Sequence, residues 1–331
     1  MRKIKIHIGQ AKTGTTTLQK FLLKNRENLK SQGVFYPKPN FGNNHGELTI
    51  PFSKTVQRSM VRFIGSDYEV ARRNSVELWK KTLNDPALND CKTLLLSSEF
   101  FFSAPGLKRI PEFIENISNF KFEIELIAYI RTPSEHFVSM AQQHLKASDK
   151  ICRPPKLKLE RLQSLSSTAT LKIRKFSKES LVDGDILSDF CLYNGIDKSK
   201  FKKLPHESNR SICAEGMILL QEYRRKYHPG KNNIFTNDTK DFVEKIVSEQ
   251  LKNPDSYTKP MLRPEFSESI DGPTPANEWL KEFYGIDLTR KNSFVQPYIG
   301  DIEDVQDVRD LIFYDENLLN KLRGVLYAKM S

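Results

Sequence analysis

One lysine and four threonines (Lys12, Thr13, Thr15, Thr16 and Thr17) crowd around Gly14 near the start of this chain. A β-rich run, residues 4–8, leads into them, and an amphipathic segment follows at once. Backbone N–H groups at a helix start lack intrahelical partners and carry partial positive charge. A glycine-flanked loop in that position is therefore an anion site. The threonine hydroxyls and the Lys12 ammonium add donors around the same point. The chemistry implied is the binding of phosphate, or of a group built like it.

The position of the lysine narrows the anion. A Walker A loop reads G-x-x-x-x-G-K-[ST], with lysine after the second glycine. Gly9 and Gly14 have that separation, but Thr15-Thr16 stand where Lys-Ser/Thr belong, and the lysine lies inside the loop at Lys12. A magnesium-nucleotide kinase or hydrolase is disfavoured by that order. A second anchor follows about 115 residues later, in Tyr129-Ile130-Arg131-Thr132-Pro133-Ser134 and onward to Ser139. An apolar strand delivers Arg131 at its end, Thr132 or Ser134 suits a helix cap, and Pro133 suits the helix start. Ser139 comes eight residues after Arg131, about two turns into that helix. An arginine fork and a serine hydroxyl both bind phosphate oxygens.

Patterning supplies the elements that position these groups. Leu18, Phe21, Leu22 and Leu29 form one apolar helical stripe that stops at Gly33, and residues 34–37 read as a short strand. Residues 38–66, rich in Pro, Gly, Asn and Ser, read as a loop-dominated excursion; residues 67–84 read as a helix with Trp79 and Leu83 inside. The run 93–98 is a central parallel strand by its continuous apolar character, and Glu99 stands at its carboxyl end. Residues 107–118 read as a helix and 122–130 as another buried strand. The stretch from Cys152 to about 168 reads as an exposed loop, 171–176 as a strand and 186–193 as a helix ending at Gly195. Further helices are predicted at 212–227, 238–251, 274–284 and 315–329. This alternation predicts an α/β fold with a central parallel sheet flanked by helices and a helical C-terminal portion. We read residues 1–331 as a single domain, with a cofactor core over about 1–150 and acceptor loops and helices over about 151–331.

A formal net charge of +11 suits an anionic cofactor, an anionic glycan, nucleic acid or a membrane surface. Zinc-finger spacing, a basic zipper and an aromatic RNA-binding signature are all missing from the sequence, so nucleic acid is not expected. Cys91, Cys152, Cys191 and Cys213 lie far apart with no C-x-x-C pair, which predicts a reduced, cytoplasmic protein without a zinc site. The first apolar run already belongs to the loop's own strand, and no stretch approaches about 18 uninterrupted apolar residues. No signal peptide or transmembrane segment is expected, while the charge leaves peripheral membrane contact open. His7 reads as a packed strand residue or a support for the loop. His136 and His144 share a helix without a metal-like third partner.

The order Lys12-Thr13-Gly14-Thr15-Thr16 resembles the 5′-phosphosulfate loop of sulfotransferases that use 3′-phosphoadenosine-5′-phosphosulfate. The segment from Arg131 to Ser139 is similar to the arrangement with which that family holds the 3′-phosphate. The opening from His7 to Gln19 most resembles bacterial and carbohydrate-type members, and the strand ending Ser97-Ser98-Glu99 shares the likeness. Fainter similarity touches Leu181-Val182-Asp183-Gly184-Asp185, Asp189-Phe190, Asn209-Arg210-Ser211 and the surroundings of Trp279.

The resemblance implies a P-loop-like sulfotransferase fold and an enzyme that moves a sulfonate group to an acceptor hydroxyl or amine. It assigns Lys12 to the bridging and sulfonate oxygens, and Thr13, Gly14, Thr15, Thr16 and Thr17 to the 5′-phosphate. Arg131 and Ser139 go to the 3′-phosphate, and Glu99 or His45, the latter in Asn43-Asn44-His45-Gly46, is the base. No metal is implied, and the product is adenosine 3′,5′-bisphosphate. The acceptor expected is a glycan or another small molecule, met by loops 38–66, 147–168 and 253–274. The alternatives are a P-loop kinase or NTPase, and a non-catalytic nucleotide- or glycan-binding protein.

Overall fold

The structure, a computed structural model, describes residues 2–202, 211–253, 256–290 and 295–328. The elements run β1 (Arg2–His7), α1 (Thr15–Lys24), α2 (Arg26–Lys30), β2 (Val34–Phe35), α3 (Arg58–Ile64), α4 (Tyr68–Leu83), β3 (Thr93–Ser97), α5 (Phe100–Ser103), α6 (Ile110–Ile117) and β4 (Phe122–Ile130). They continue with α7 (Pro133–Leu145), α8 (Leu159–Ser166), β5 (Thr170–Lys175), α9 (Ile186–Asn194), α10 (Ala214–Tyr227), α11 (Asn237–Lys252), α12 (Pro264–Ile270), α13 (Pro275–Tyr284), α14 (Val308–Leu311) and α15 (Glu316–Ala328). Two compact units result. The first comprises Met1–Arg131 with Lys158–Glu207, the second Thr132–Leu157 with Ser208–Ser331.

The first unit is an α/β layer built on a five-stranded parallel sheet in the order β2-β3-β1-β4-β5. Alternation along β1 turns Ile4 and Ile6 to one face and Lys3, Lys5 and His7 to the other. The apolar side is sealed, with Ile4, Ile6, Leu94 and Leu96 all fully buried. The opposite face changes character along the strands. At one end Lys3 pairs with Glu123 at 3.1 Å, and Glu125 takes Lys5 at 3.7 Å and Lys172 at 2.8 Å. At the carboxyl end the same face carries His7, Ser97, Ile127 and Tyr129. Here Leu18, Phe21 and Leu22 of α1 and Ile186 and Phe190 of α9 join one core cluster with Leu95, Ile127 and Tyr129.

Several stretches depart from expectation, and three show why. The stripe from Leu18 to Leu29 is two helices, broken at Asn25. The buried Asn25 carboxamide donates to Phe21 O and Lys202 O and accepts from the Lys202 amide at 2.7 Å, pairing with a distant strip of backbone as a strand would. Residues 46–52 are not surface loop: Gly46–Phe52 is a 3-10 helix buried along its whole length, with Trp79 Nε1 donating to Leu48 O at 2.8 Å. Within the predicted exposed loop after Cys152, α8 forms because Leu162 and Leu165 find a buried side.

The second unit is helical around α10, whose Met217, Ile218, Leu219 and Leu220 share a buried cluster with residues of α7, α11, α14 and α15. Glu215, fully buried, accepts the amides of Thr258 and Asp315 and so holds two loops against the start of α10. The expected cap of α7 is replaced from a distance. Thr132 occupies the N-cap without a side-chain bond, and buried Asp271 accepts from the Ser134 amide at 2.7 Å and from its hydroxyl at 2.5 Å. Burial pushes the Asp271 carboxyl up, against the lowering influence of its Ser134 bonds and of Arg290. Asp271→Ala leaves both Ser134 donors buried without an acceptor. It is expected to lower unfolding free energy by about 1–3 kcal/mol, read from urea midpoints, with Asp271→Asn losing less.

Candidate functional site

The loop after β1 is held in a shape that few residues tolerate. Gly9 has φ +52° and Gly14 φ +76°. A Cβ on Gly9 would lie 2.7 Å from Thr15 Cγ2, and one on Gly14 would lie 3.1 Å from Phe176 Cε2. Lys12 also has a positive φ, 68°, a conformation that costs a non-glycine residue on the order of 1 kcal/mol and recurs at functional sites. Gln10 laces the loop to the sheet. Its amide donates to Tyr129 O at 3.2 Å, its side-chain oxygen accepts the Arg131 amide at 3.1 Å, and its carbonyl accepts the Thr13 hydroxyl at 2.6 Å.

The threonines divide into two pairs. Thr13 and Thr15 are buried and brace the loop, whereas Thr16 and Thr17 are exposed on the first turn of α1. That helix has no side-chain cap, and its first bond runs from the Leu18 amide to Gly14 O. The amides of Thr15, Thr16 and Thr17 therefore precede the helical hydrogen-bond ladder, which is the donor arrangement an anion needs. Half-buried Lys12 lies in the same loop.

Glu99 follows β3, half-buried, and its Oε2 accepts from Gln19 Nε2 at 2.9 Å. Gln19 lies one turn beyond Thr15 on α1, so one helix carries both the loop's donors and the group that orients this carboxylate. His45 is arranged otherwise. It is buried, its Nδ1 accepts the Ser97 amide at 3.1 Å, its Nε2 donates to Pro37 O at 2.9 Å, and its ring meets Tyr36 edge-on. With both nitrogens bonded to backbone and burial pushing its pKa down to about 4, His45 stitches residues 37–46 to the end of β3 and has no nitrogen left to take an acceptor proton. The expectation of His45 as a base is corrected on that ground. His7 likewise supports the loop. Fully buried, it pairs through Nδ1 with Ser97 Oγ at 2.8 Å and packs against Tyr129 and Phe190, and burial pushes its pKa down to about 3.

Arg131 follows the end of β4, half-buried, with its guanidinium 5.7 Å from the Phe176 ring centre. Phe176, also against Gly14, links the loop glycine to this arginine. Ser139 belongs to the second unit, half-buried two turns into α7. Among the more faintly similar segments, Asp189 is a fully buried hub that accepts from Tyr129 Oη at 2.7 Å, from Arg174 at 2.6 and 2.7 Å and from the Val182 amide at 3.1 Å. Trp279 packs at a tilt against Phe283 and Tyr284 on α13. Asn209 and Arg210 lie outside the described residues.

Gln10, Gln19 and Phe176 escaped the sequence reading. Gln10 and Gln19 lie within the motif, but nothing local shows that their partners are Arg131 and Glu99. Phe176 is signalled only as the last residue of the predicted strand 171–176. Among the described residues no group of three His, Cys, Asp or Glu side chains is arranged to hold a metal ion, and no helix is long and apolar enough to cross a membrane.

His7 and His45 stay neutral in the folded chain well below the ordinary histidine value of 6.5, so the unfolded chain binds more protons as pH falls. Stability is therefore expected to drop from pH 6.5 downward, His45's share to about 4 and His7's on to about 3, and His45→Gln should flatten that loss. Urea midpoints at pH 7, 6 and 5 measure it, and parallel profiles for the two proteins would contradict the assignment. Comparison of the chain with protein-family models, with curated proteins and with solved structures gives no match.

Proposed function

We propose that the first unit is a sulfotransferase of P-loop-like architecture, moving sulfonate from 3′-phosphoadenosine-5′-phosphosulfate to a hydroxyl or amine, with a carbohydrate as the expected acceptor. One observation carries this reading. The Lys12 loop, Glu99 and Arg131 follow the carboxyl ends of β1, β3 and β4, three neighbouring strands at the point where the strand order reverses. Open α/β sheets bind their ligands at that point. The residues fit the donor's chemistry: an uncapped helix start for the 5′-phosphate, a lysine in the loop beside it, and an arginine for a second phosphate.

Each residue then has a task. Thr15, Thr16 and Thr17 hold the 5′-phosphate through the first-turn amides, Thr16 and Thr17 also through their exposed hydroxyls. Glu99, oriented by Gln19, takes the acceptor proton as the acceptor oxygen or nitrogen bonds to sulfur. Lys12 balances the charge gathering on the bridging oxygen as the sulfur–oxygen bond to the 5′-phosphate breaks and its electron pair stays with the phosphate. Arg131 pairs with the 3′-phosphate. The lysine's place inside the loop, with no Lys-Ser/Thr after Gly14, favours this reading over a kinase.

Calorimetry is expected to show adenosine 3′,5′-bisphosphate binding without magnesium and in preference to magnesium-ATP; the opposite preference overturns the proposal. Arg131→Ala should weaken bisphosphate binding by roughly 10-fold or more. In a radiolabelled sulfonate-transfer assay Lys12→Ala should slow turnover by on the order of 100-fold or more, and Glu99→Gln by a similar factor. A Glu99→Gln enzyme with wild-type rates would remove Glu99 from its role.

A further inference from the structure

Over residues 48–66 the chain carries three cations, Lys54, Arg58 and Arg62, and no acidic residue. Arg58 and Arg62 lie one turn apart on α3, both exposed, and neither is in an ion pair among the described residues. Like charges at that spacing cost a helix a few tenths of a kcal/mol, so the pair is unfavourable for the free helix. Arg62 is held in place nonetheless. The Arg62 guanidinium lies 4.5 Å from the centre of the Phe63 ring, and Phe63, 42% exposed, stacks in turn on Phe41 with centroids 5.0 Å apart and planes 18° from parallel.

A guanidinium held over an aromatic ring loses less freedom on binding and still offers N–H donors for a two-pronged contact with carboxylate or sulfate. The place of α3 gives the pair its meaning. Both Met60 of α3 and Phe100, the residue after Glu99, press on Gly46: a Cβ there would lie 3.0 Å from Met60 Sδ and 3.1 Å from Phe100 Cδ2. The arginine pair therefore stands on an element packed directly beside the turn that bears Glu99.

We infer that Arg58 and Arg62, with Arg62 braced by the Phe63–Phe41 stack, form an acceptor-side clamp for the carboxylate or sulfate of an acidic saccharide. This rests on the sulfotransferase reading for the word acceptor, and on the local geometry alone for the binding. A single exposed ring under one guanidinium, with a second arginine one turn away on the same helix, suits one acidic sugar unit. A nucleic-acid strand needs a row of stacking residues along a groove.

The test is calorimetric titration of the full chain with a chondroitin sulfate hexasaccharide, with cellohexaose as the neutral counterpart. The wild-type chain should bind the acidic oligosaccharide and not cellohexaose. The double variant R58Q/R62Q should weaken binding at least 10-fold with its urea midpoint unchanged, because both positions are exposed, and Phe63→Ala, which keeps both charges, should weaken it several-fold. Adenosine 3′,5′-bisphosphate affinity should be the same in every variant. Wild-type affinity in R58Q/R62Q, equal binding of cellohexaose, no binding of the acidic hexasaccharide, or a parallel loss of bisphosphate affinity would each overturn the clamp, as would tighter binding of a single-stranded oligonucleotide through the same residues. Hexasaccharide binding that depends on Arg58 and Arg62, in a chain that fails to bind the bisphosphate, keeps the clamp and removes the sulfotransferase reading.

Discussion

The hydrogen bonds of Gln10 are the constraint on which the candidate site depends. Backbone and side chain of this one residue reach Tyr129, Arg131 and Thr13, tying the loop to the end of β4 and closing it on itself. A loop containing left-handed Gly9, Lys12 and Gly14 is not stable by local preference, and Lys12 in particular is held against its own φ preference. The strain is tolerated because the sheet supplies the bonds. The consequence is a helix start with uncommitted amides at a fixed height above the strand ends.

Beneath this loop the sheet is unusual for a parallel one. Its α1–α9 face is not uniformly apolar: ion pairs occupy one end, while two histidines, Ser97 and Tyr129 serve the other. The histidines work as neutral, bonded rings. His7 fixes Ser97 from one side and His45 fixes it from the other, so the end of β3, and with it Glu99, is gripped by two imidazoles that do not charge at ordinary pH. Gln19 adds a third hold on Glu99 from α1. A carboxylate positioned this way is preorganised relative to the Lys12 loop, since one helix serves both.

The second unit treats its own helix start differently. At α7 the donors of Ser134 are consumed by Asp271, which lies far along the chain and is itself fully buried. The two helix starts have the same physics and opposite outcomes. One is closed by an internal carboxylate and serves packing, whereas α1 carries no cap and retains its field.

Local pattern in the sequence determined most of the elements and the strand–loop–helix around Lys12. Strand β4 runs over the residues its apolar run predicted, α9 stops at Gly195, and the Lys12 loop with Thr15, Thr16 and Thr17 stands between strand and helix as its glycine spacing implied. These features depend on neighbours within a turn or two, and periodicity records them. Tertiary structure alone decided which partners distant residues find. Asn25 breaks a helix to pair with Lys202, Glu47 and its neighbours turn inward under Trp79, Asp271 caps α7, and Gln19 reaches Glu99 across 80 residues of chain. It also separated two candidates that looked alike as sequence: His45 spends both nitrogens on backbone, and Glu99 keeps a carboxylate at the strand end. The order of strands in the sheet sets those pairings, and no window of local sequence encodes that order.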